Sequence, residues 1–336
     1  MPKSLIFCAK LALIILLFSY LVWRALQGAA LQELNVKTFY WSFLLIGLFF
    51  NLLSTTLTII RWKYLVEALR ASLTMSDALR FGFIGFLFNL SPVGIVGGDA
   101  IKVVLLVKKS GIGADRATAS VVIDRLIGLY VMFLLGVFAV FATGFYQREE
   151  PLAKFATLGS IALFLASTIL LALLLWPSSR QNRRVTLMAK LPLVGTVLAK
   201  LANAMLEYRK SKKVLLLSFI ITVFVHLGFS VSLYFLARGL FHAAPSLSNH
   251  VVLYCLANVG SIIPLSAGPL ELFLDELYPL FPIVARASFQ VGHGMAIGMA
   301  YRLTTVLVAM VGMGYYLTSR KSLPTQQEDT ANKAHA

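Results

Sequence analysis

The sequence predicts an all-α protein built from membrane-spanning helices, and three observations carry that expectation. Hydrophobic residues make up 59% of the 336-residue chain and charged residues 13%, against roughly a quarter charged in a soluble domain. Uncharged runs recur at residues 11–23, 38–60, 126–147, 155–179, 214–237 and 251–270. A run of about 18 apolar residues is long enough to cross a hydrocarbon core about 30 Å thick. Finally, the runs are too long and uniform for the alternating strands of an outer-membrane barrel.

The net charge of +16 lies in the segments between these runs. That pattern fits cytoplasmic loops, which collect Lys and Arg, and such loops attract an anionic membrane surface. No basic groove or reading motif accompanies the charge, so nucleic acid is not an expected partner. Walking the chain with this rule orients each run. Lys3 and Lys10 place the N-terminus inside. A first span over residues 5–23 ends at the interface residues Trp23 and Arg24. A cleaved signal peptide ending near Gly28-Ala29-Ala30 is the alternative, and it leaves the later topology unchanged. Residues 27–37 are nearly neutral and face outside. The second span, 38–60, returns to a basic loop carrying Arg61, Lys63, Arg70 and Arg80.

Residues 81–90 are apolar but too short to span, and they end in Ser91-Pro92-Val93-Gly94-Ile95-Val96-Gly97-Gly98-Asp99. If they crossed, Lys108 and Lys109 would lie outside. A re-entrant hairpin from the cytoplasmic side fits the charges better. A third span at 121–143 leads to a neutral outside loop, where Arg148 and Lys154 offset Glu149 and Glu150. The fourth, 155–176, leads into residues 180–213, which hold nine Lys or Arg and one acid. Val194, Val197, Leu198, Leu201 and Met205 share a helical face there, predicting an amphipathic helix on the cytoplasmic interface. The fifth span, 214–237, goes out. Residues 251–263 are again short and end in Pro264-Leu265-Ser266-Ala267-Gly268-Pro269-Leu270-Glu271. The acids Asp275 and Glu276 that follow suggest a second hairpin from the outside. The last span, 291–317, returns to Arg320 and Lys321, and residues 321–336 read as a disordered cytoplasmic tail.

The predicted architecture is therefore one transmembrane domain over residues 1–320, with six full spans, two re-entrant helical hairpins and both termini cytoplasmic. Its two halves, 38–143 and 214–317, look alike. Each has a short apolar helix, a Ser/Pro/Gly break, an acid, then a span with an Arg-Leu pair. Pro92, Gly97, Gly98, Asp99 and Asp124-Arg125-Leu126 in one half answer Pro264, Gly268, Glu271 and Tyr301-Arg302-Leu303 in the other. Entry from opposite faces makes this an inverted repeat. The alternative is two pairs of ordinary full spans joined by loops.

Broken, Gly/Pro-interrupted segments at matching positions in two halves are the sequence pointer to a transport site. Irregular backbone at membrane depth survives only inside protein or beside water, so the two breaks are expected to meet near mid-membrane. Half-helix N-termini near Gly98 and Pro269 offer amide donors to an anion. The candidate substrate-binding residues are Pro92, Gly97, Gly98, Asp99, Lys102, Arg125, Pro264, Gly268, Glu271 and Arg302. Arg125 and Arg302 suit a phosphate, which a guanidinium binds bidentately. The competing interpretation is structural pairing, Arg125 with Asp99 and Arg302 with Glu271, or Asp124 and Arg125 snorkelling at a span entrance.

No catalytic motif appears, and residues 94–102 lack the spacing of a phosphate-binding GxxxxGK[ST] loop. Cys8 and Cys255 lie in apolar runs, and the five histidines have no metal-ligand spacing. An enzyme, a metal site and a cofactor are not expected.

Arg61-Trp62, Ser91-Pro92 through Gly97-Gly98-Asp99-Ala100-Ile101-Lys102, Asp124-Arg125-Leu126-Ile127-Gly128-Leu129, and Ile263-Pro264 through Leu270-Glu271, in that order, resemble the lysylphosphatidylglycerol synthase transmembrane region. That family of flippase-like proteins includes the flippase half of the multiple peptide resistance factor. The resemblance covers roughly residues 5–318. It implies a plasma-membrane protein that moves a phospholipid or polyprenyl-linked lipid between leaflets, with self-association of the chain left open. The sequence holds no counterpart of the soluble aminoacyl-transferase domain of full-length synthases, so lysyl transfer is not implied. Where the family's second motif reads PGGLGxxE-like, this chain has Ala267-Gly268-Pro269-Leu270-Glu271, and Pro269 is expected to change the start of that half-helix. A small-solute secondary transporter and a non-transporting partner of a lipid-modifying or glycosyltransferase enzyme are the other functional classes.

Overall fold

The computed structural model describes residues 36–90, 95–175, 211–262, 268–282 and 289–319, together with Ser19 and Tyr208. Among these residues the protein is helical, with no strand. The α-helices are α1 (Trp41–Ala68), α2 (Met75–Phe88), α3 (Ile95–Ser110), α4 (Ala114–Ala142), α5 (Pro151–Leu175), α6 (Lys212–Phe241), α7 (Leu247–Ala257), α8 (Pro269–Leu277) and α9 (His293–Ser319). Five of them, α1, α4, α5, α6 and α9, are long and apolar enough to cross a membrane. A bilayer offers no water to backbone polar groups, so helices that satisfy their own amides are the stable spanning form. Leu45, Phe49, Phe138, Phe155, Leu158 and Phe224 point outward and exposed along these helices, as lipid-facing side chains do. The chain is a multi-pass membrane protein. The expected span at 5–23, most of the amphipathic segment at 180–213 and the tail lie outside the described residues.

The other four helices hold 14, 16, 11 and 9 residues. At 1.5 Å per residue they reach only about 14–24 Å, less than the core they would have to cross. They pair as α2 with α3 and α7 with α8. The first arm of each pair opens on a hydroxyl cap: Thr74 accepts from the Asp77 amide at 3.1 Å and Ser246 from the Asn249 amide at 3.3 Å. Two expected boundaries move. Helix α1 continues past residue 60 to Ala68, which brings Arg61 and Lys63 into the helix rather than a loop. Helix α4 starts at Ala114, well before residue 121, so Asp124 and Arg125 lie inside it rather than at its entrance.

Among the described residues, the most extensive helix contact is α1–α6. Small residues let the backbones approach: a Cβ at Gly47 would meet Leu236 at 2.9 Å, and one at Gly228 would collide with the Ser54 hydroxyl. Ser232 adds an interhelical bond to the Gly47 carbonyl at 2.7 Å. With no hydrophobic drive between helices in lipid, such close packing and interhelical hydrogen bonds supply the association. Around this axis the contacts have a two-fold logic. Exchanging α1 with α6, α2 with α7, α3 with α8 and α4 with α9 maps the α1–α6 contact onto itself and every other substantial contact among these helices onto another one. Thus α2 packs on α9 as α7 packs on α4, so each short-helix pair leans on the last long helix of the other half. Helix α5 lies outside the scheme and packs on α4.

Candidate functional site

Three arginine–carboxylate pairs join the long helices to the short ones or to each other. Asp99, on α3, accepts from Arg125 of α4 through both oxygens, at 3.0 Å from Nε and 2.9 Å from Nη2. Glu271, on α8, accepts from Nε of Arg302 on α9 at 2.8 Å. These pairs occupy equivalent places under the exchange of halves. The structural pairing anticipated from sequence is thus the observed one, and Asp124 does not snorkel. It is buried and bonded to Arg61 of α1 at 2.8 Å, with side-chain exposures of 5% and 4%. Arg61 donates further to the Asp124 carbonyl at 3.2 Å and, from Nη1, to Thr222 of α6 at 2.8 Å. Removing one member of a fully buried pair leaves an uncompensated charge, which costs about 3–5 kcal/mol. Arg61–Asp124 ties three long helices together.

The glycines of the first break act by close approach. A Cβ at Gly98 would run into the Gly85 carbonyl and the Asn89 side chain, and one at Gly85 would meet Lys102 Cγ at 2.7 Å and the Gly98 carbonyl at 3.0 Å. This facing pair lets α2 and α3 touch backbone to backbone. Gly97 lies in the first turn of α3. That helix starts at Ile95, a little earlier than expected. Pro92 and Pro264 fall outside the described residues, as do the breaks at 91–94 and 263–267, so the expected meeting of the breaks is not described.

Lys102 is one turn beyond Asp99 on the same helix and is 6% exposed. Its ammonium sits over the Trp62 ring, 5.5 Å from the centroid. It makes no ion pair or hydrogen bond among the described residues. It lies within electrostatic reach of Arg125, Asp124, Asp99 and Arg61. Three cations therefore share two carboxylates, and each carboxylate already belongs to an arginine. A buried ammonium carries a desolvation penalty of several kcal/mol. A cation–π contact returns only about 0.5–2 kcal/mol of it. Among the described residues, the cluster holds one more basic than acidic side chain.

Among the described residues, the second half has no buried lysine beside its pair. The position three residues after Glu271 is Leu274, fully buried. Asp275 accepts from the Gly292 amide at 2.6 Å and the Met295 amide at 3.1 Å, at the start of α9. The second half-helix was expected to offer bare amides to an anion. Instead its own carboxylate occupies that end: Glu271 Oε2 accepts from the Gly268 amide at 2.8 Å. Negative charge at a helix N-terminus is favourable, and Glu271 supplies it from within the chain. Gly268 adopts φ 112°, a left-handed value suited to glycine. Pro269 takes the first helical position, where its missing amide hydrogen matters least. The helix accepts proline there without disruption.

The family model described as the lysylphosphatidylglycerol synthase TM region matches residues 7–312. The chain belongs to this family. Membership in the lysylphosphatidylglycerol synthase TM region family supports a lipid-related, flippase-like role and a lipid as partner in general terms. No individual curated protein matches the chain closely enough to be compared with it. Within the chain, Asp99, Lys102, Gly98 and Arg125 are brought together, and so are Gly268, Glu271 and Arg302. Sequence reasoning left Arg61 and Asp124 out of the site. A signal was present: Trp62, Leu65 and Val66 continue the apolar pattern beyond residue 60, which puts Arg61 inside a helix.

Proposed function

We propose that the chain moves a lipid, or the anionic headgroup of a lipid-linked molecule, between the leaflets of a bacterial-type plasma membrane. The observation that carries this reading is Lys102, a buried cation beside Arg125 with no carboxylate of its own. A phosphate carries the missing charge, and Arg125 keeps Nη1 without a hydrogen-bond partner among the described residues. The role is binding and passage rather than bond making. A phospholipid and a polyprenyl-linked lipid both have the required phosphate, and the chain works alone or as a homo-oligomer.

In this reading α2–α3 and α7–α8 are re-entrant hairpins entering from opposite faces, and the two halves form an inverted repeat. The exchange of helix contacts and the shortness of the four helices support it. Positive-inside counting supports cytoplasmic termini and a cytoplasmic segment at 180–213. Cysteines placed at Ser179 and Ser319 should label from the cytoplasmic side only; labelling from the outside would overturn the orientation. Function is tested in liposomes holding a panel of fluorescent lipids. Anionic phosphodiester lipids should cross faster than in protein-free vesicles, and Lys102→Gln should lose that rate while melting normally. Equal rates for anionic and zwitterionic lipids would sink the headgroup assignment.

A further inference from the structure

His226 stands in the middle of α6, 8% exposed, and it is not among the anion-holding residues. Its Nε2 is 2.9 Å from the Gly128 carbonyl of α4. A carbonyl only accepts, so Nε2 carries the hydrogen and Nδ1 is the bare nitrogen. Nδ1 is buried and has no hydrogen-bond partner among the described residues. A bare imidazole nitrogen inside a membrane protein is a vacant proton site. Titratable side chains buried within spanning helices characteristically mark ion and proton pathways.

Every helix packed on this part of α6 presents a polar or charged group to it. From α1 comes Arg61, whose guanidinium nitrogens would lie 3.7 Å from a Cβ at Gly128. Thr222, one turn before His226, holds Arg61 Nη1. From α4 comes Asp124, Arg61's partner. From α7 comes Tyr254, its ring 5.9 Å from the imidazole. From α9, next to Arg302, comes Tyr301, which packs with Tyr254 on the ring of Phe229 at centroid distances of 6.4 and 5.7 Å. A buried polar column therefore runs from the first-half charge cluster, through His226 and the two tyrosines, to the Arg302–Glu271 pair. Among the described residues its members belong to both halves, which a fold-stabilising contact inside one half would not require.

We propose that His226 binds a proton in concert with the headgroup, so that an anionic lipid and a proton cross together. This rests on the lipid-moving reading above. The coupling follows from charge. Arg61 lies within electrostatic reach of both Lys102 and His226. With the site empty, Arg61 opposes a positive charge on His226. A phosphate at Lys102 and Arg125 adds negative charge to the cluster that includes Arg61 and weakens that opposition, so anion and proton each favour the other's binding. By linkage the effect is reciprocal. A monoanionic headgroup with one proton moves no net charge, so the step responds to a pH gradient and not to a voltage.

The test uses the full chain in vesicles of phosphatidylethanolamine and phosphatidylglycerol, with a trace of fluorescent phosphatidylglycerol and trapped pyranine. Protein-free vesicles set the baseline. The fluorescent lipid should accumulate in the leaflet on the alkaline side of an imposed pH gradient, with pyranine reporting proton entry alongside it. A potassium diffusion potential of either sign should leave the rate unchanged. His226→Gln, which retains an N–H for the Gly128 carbonyl, should lose the response to the gradient, and any lipid it still moves should move without proton entry reported by pyranine. Lipid movement by the wild type that ignores the gradient overturns the coupling and leaves the lipid-moving reading standing. A gradient response retained by His226→Gln removes His226 as the proton site. No lipid movement by the wild type overturns both. The wild-type arms decide coupling even if His226→Gln melts early, and Tyr254→Phe, which keeps the ring packing, should then weaken the gradient response.

Discussion

The Asp99–Arg125 and Glu271–Arg302 pairs sit at equivalent places in two halves with matching helix contacts, yet they are bonded differently. In the first, the carboxylate takes two guanidinium bonds, and a buried lysine one turn away has no acid. In the second, the carboxylate divides itself between one guanidinium bond and the amide that starts its own helix, and leucine replaces the lysine. Asp124 beside Arg125 has Tyr301 as its counterpart beside Arg302, and only Asp124 binds a third arginine, Arg61. The difference teaches that repeating a fold does not repeat a site. Among the described residues, the second half pairs its acid with an arginine and with its own helix end, while the first holds a buried lysine with no acid of its own.

The comparison can be broken most forcefully at Arg61. Arg61→Ala leaves Asp124 buried without its partner and should cost about 3–5 kcal/mol of stability, read as a large drop in melting temperature in detergent. Replacing both members, Arg61→Met with Asp124→Leu, should recover most of the loss. If Arg61→Ala alone melts like the wild type, the first half is not organised around this pair.

Much of this arrangement is legible in the sequence. The order of Asp99, Arg125, Glu271 and Arg302 in two matching motifs offered both partner choices, as the interpretation competing with a phosphate clamp. The long apolar runs gave the spanning helices, while α2 and α7 start before the apolar segments expected at 81–90 and 251–263. What stayed hidden depends on helix register across long distances. Arg61 follows an uncharged run, so on charge alone it marks the end of a span. Only its place on a helix that continues to Ala68 turns it inward toward Asp124. The start of α4 was missed because residues 114–120 are helix-forming but not apolar, and hydropathy sees only the latter. The column through His226 and Tyr254 joins residues from separate helices, and no spacing along the chain encodes it.

A smaller effect is expected at Gly98. Gly98→Ala places a methyl group against the Gly85 carbonyl and should cost about 1–3 kcal/mol, read by the same melts. No change would mean the arms of the first short-helix pair are not in backbone contact. Arg302→Lys comes next. It retains the charge beside Glu271 and replaces a single Nε bond, so a stability loss of about 1 kcal/mol and little change in lipid binding are expected. A loss of lipid binding as large as that of Arg125→Lys would make the halves functionally equal. The least effect belongs to Lys63→Ala. Its bond to Glu67 at 2.6 Å is an i, i+4 pair at a half-exposed carboxylate, worth about 0.3–0.5 kcal/mol.

The anion site is tested most directly by phosphatidylglycerol affinity in paired variants at equivalent positions, Lys102→Gln in the first half and Leu274→Met in the second, with phosphatidylcholine as the reference lipid. A charge-assisted contact of about 1.5–3 kcal/mol corresponds to about 10- to 100-fold in affinity. Lys102→Gln should lose that much for phosphatidylglycerol, with phosphatidylcholine and the melting temperature unchanged, and Leu274→Met should lose nothing. Equal affinities in all three proteins, or an equal loss in both variants, would contradict an anion site in the first half.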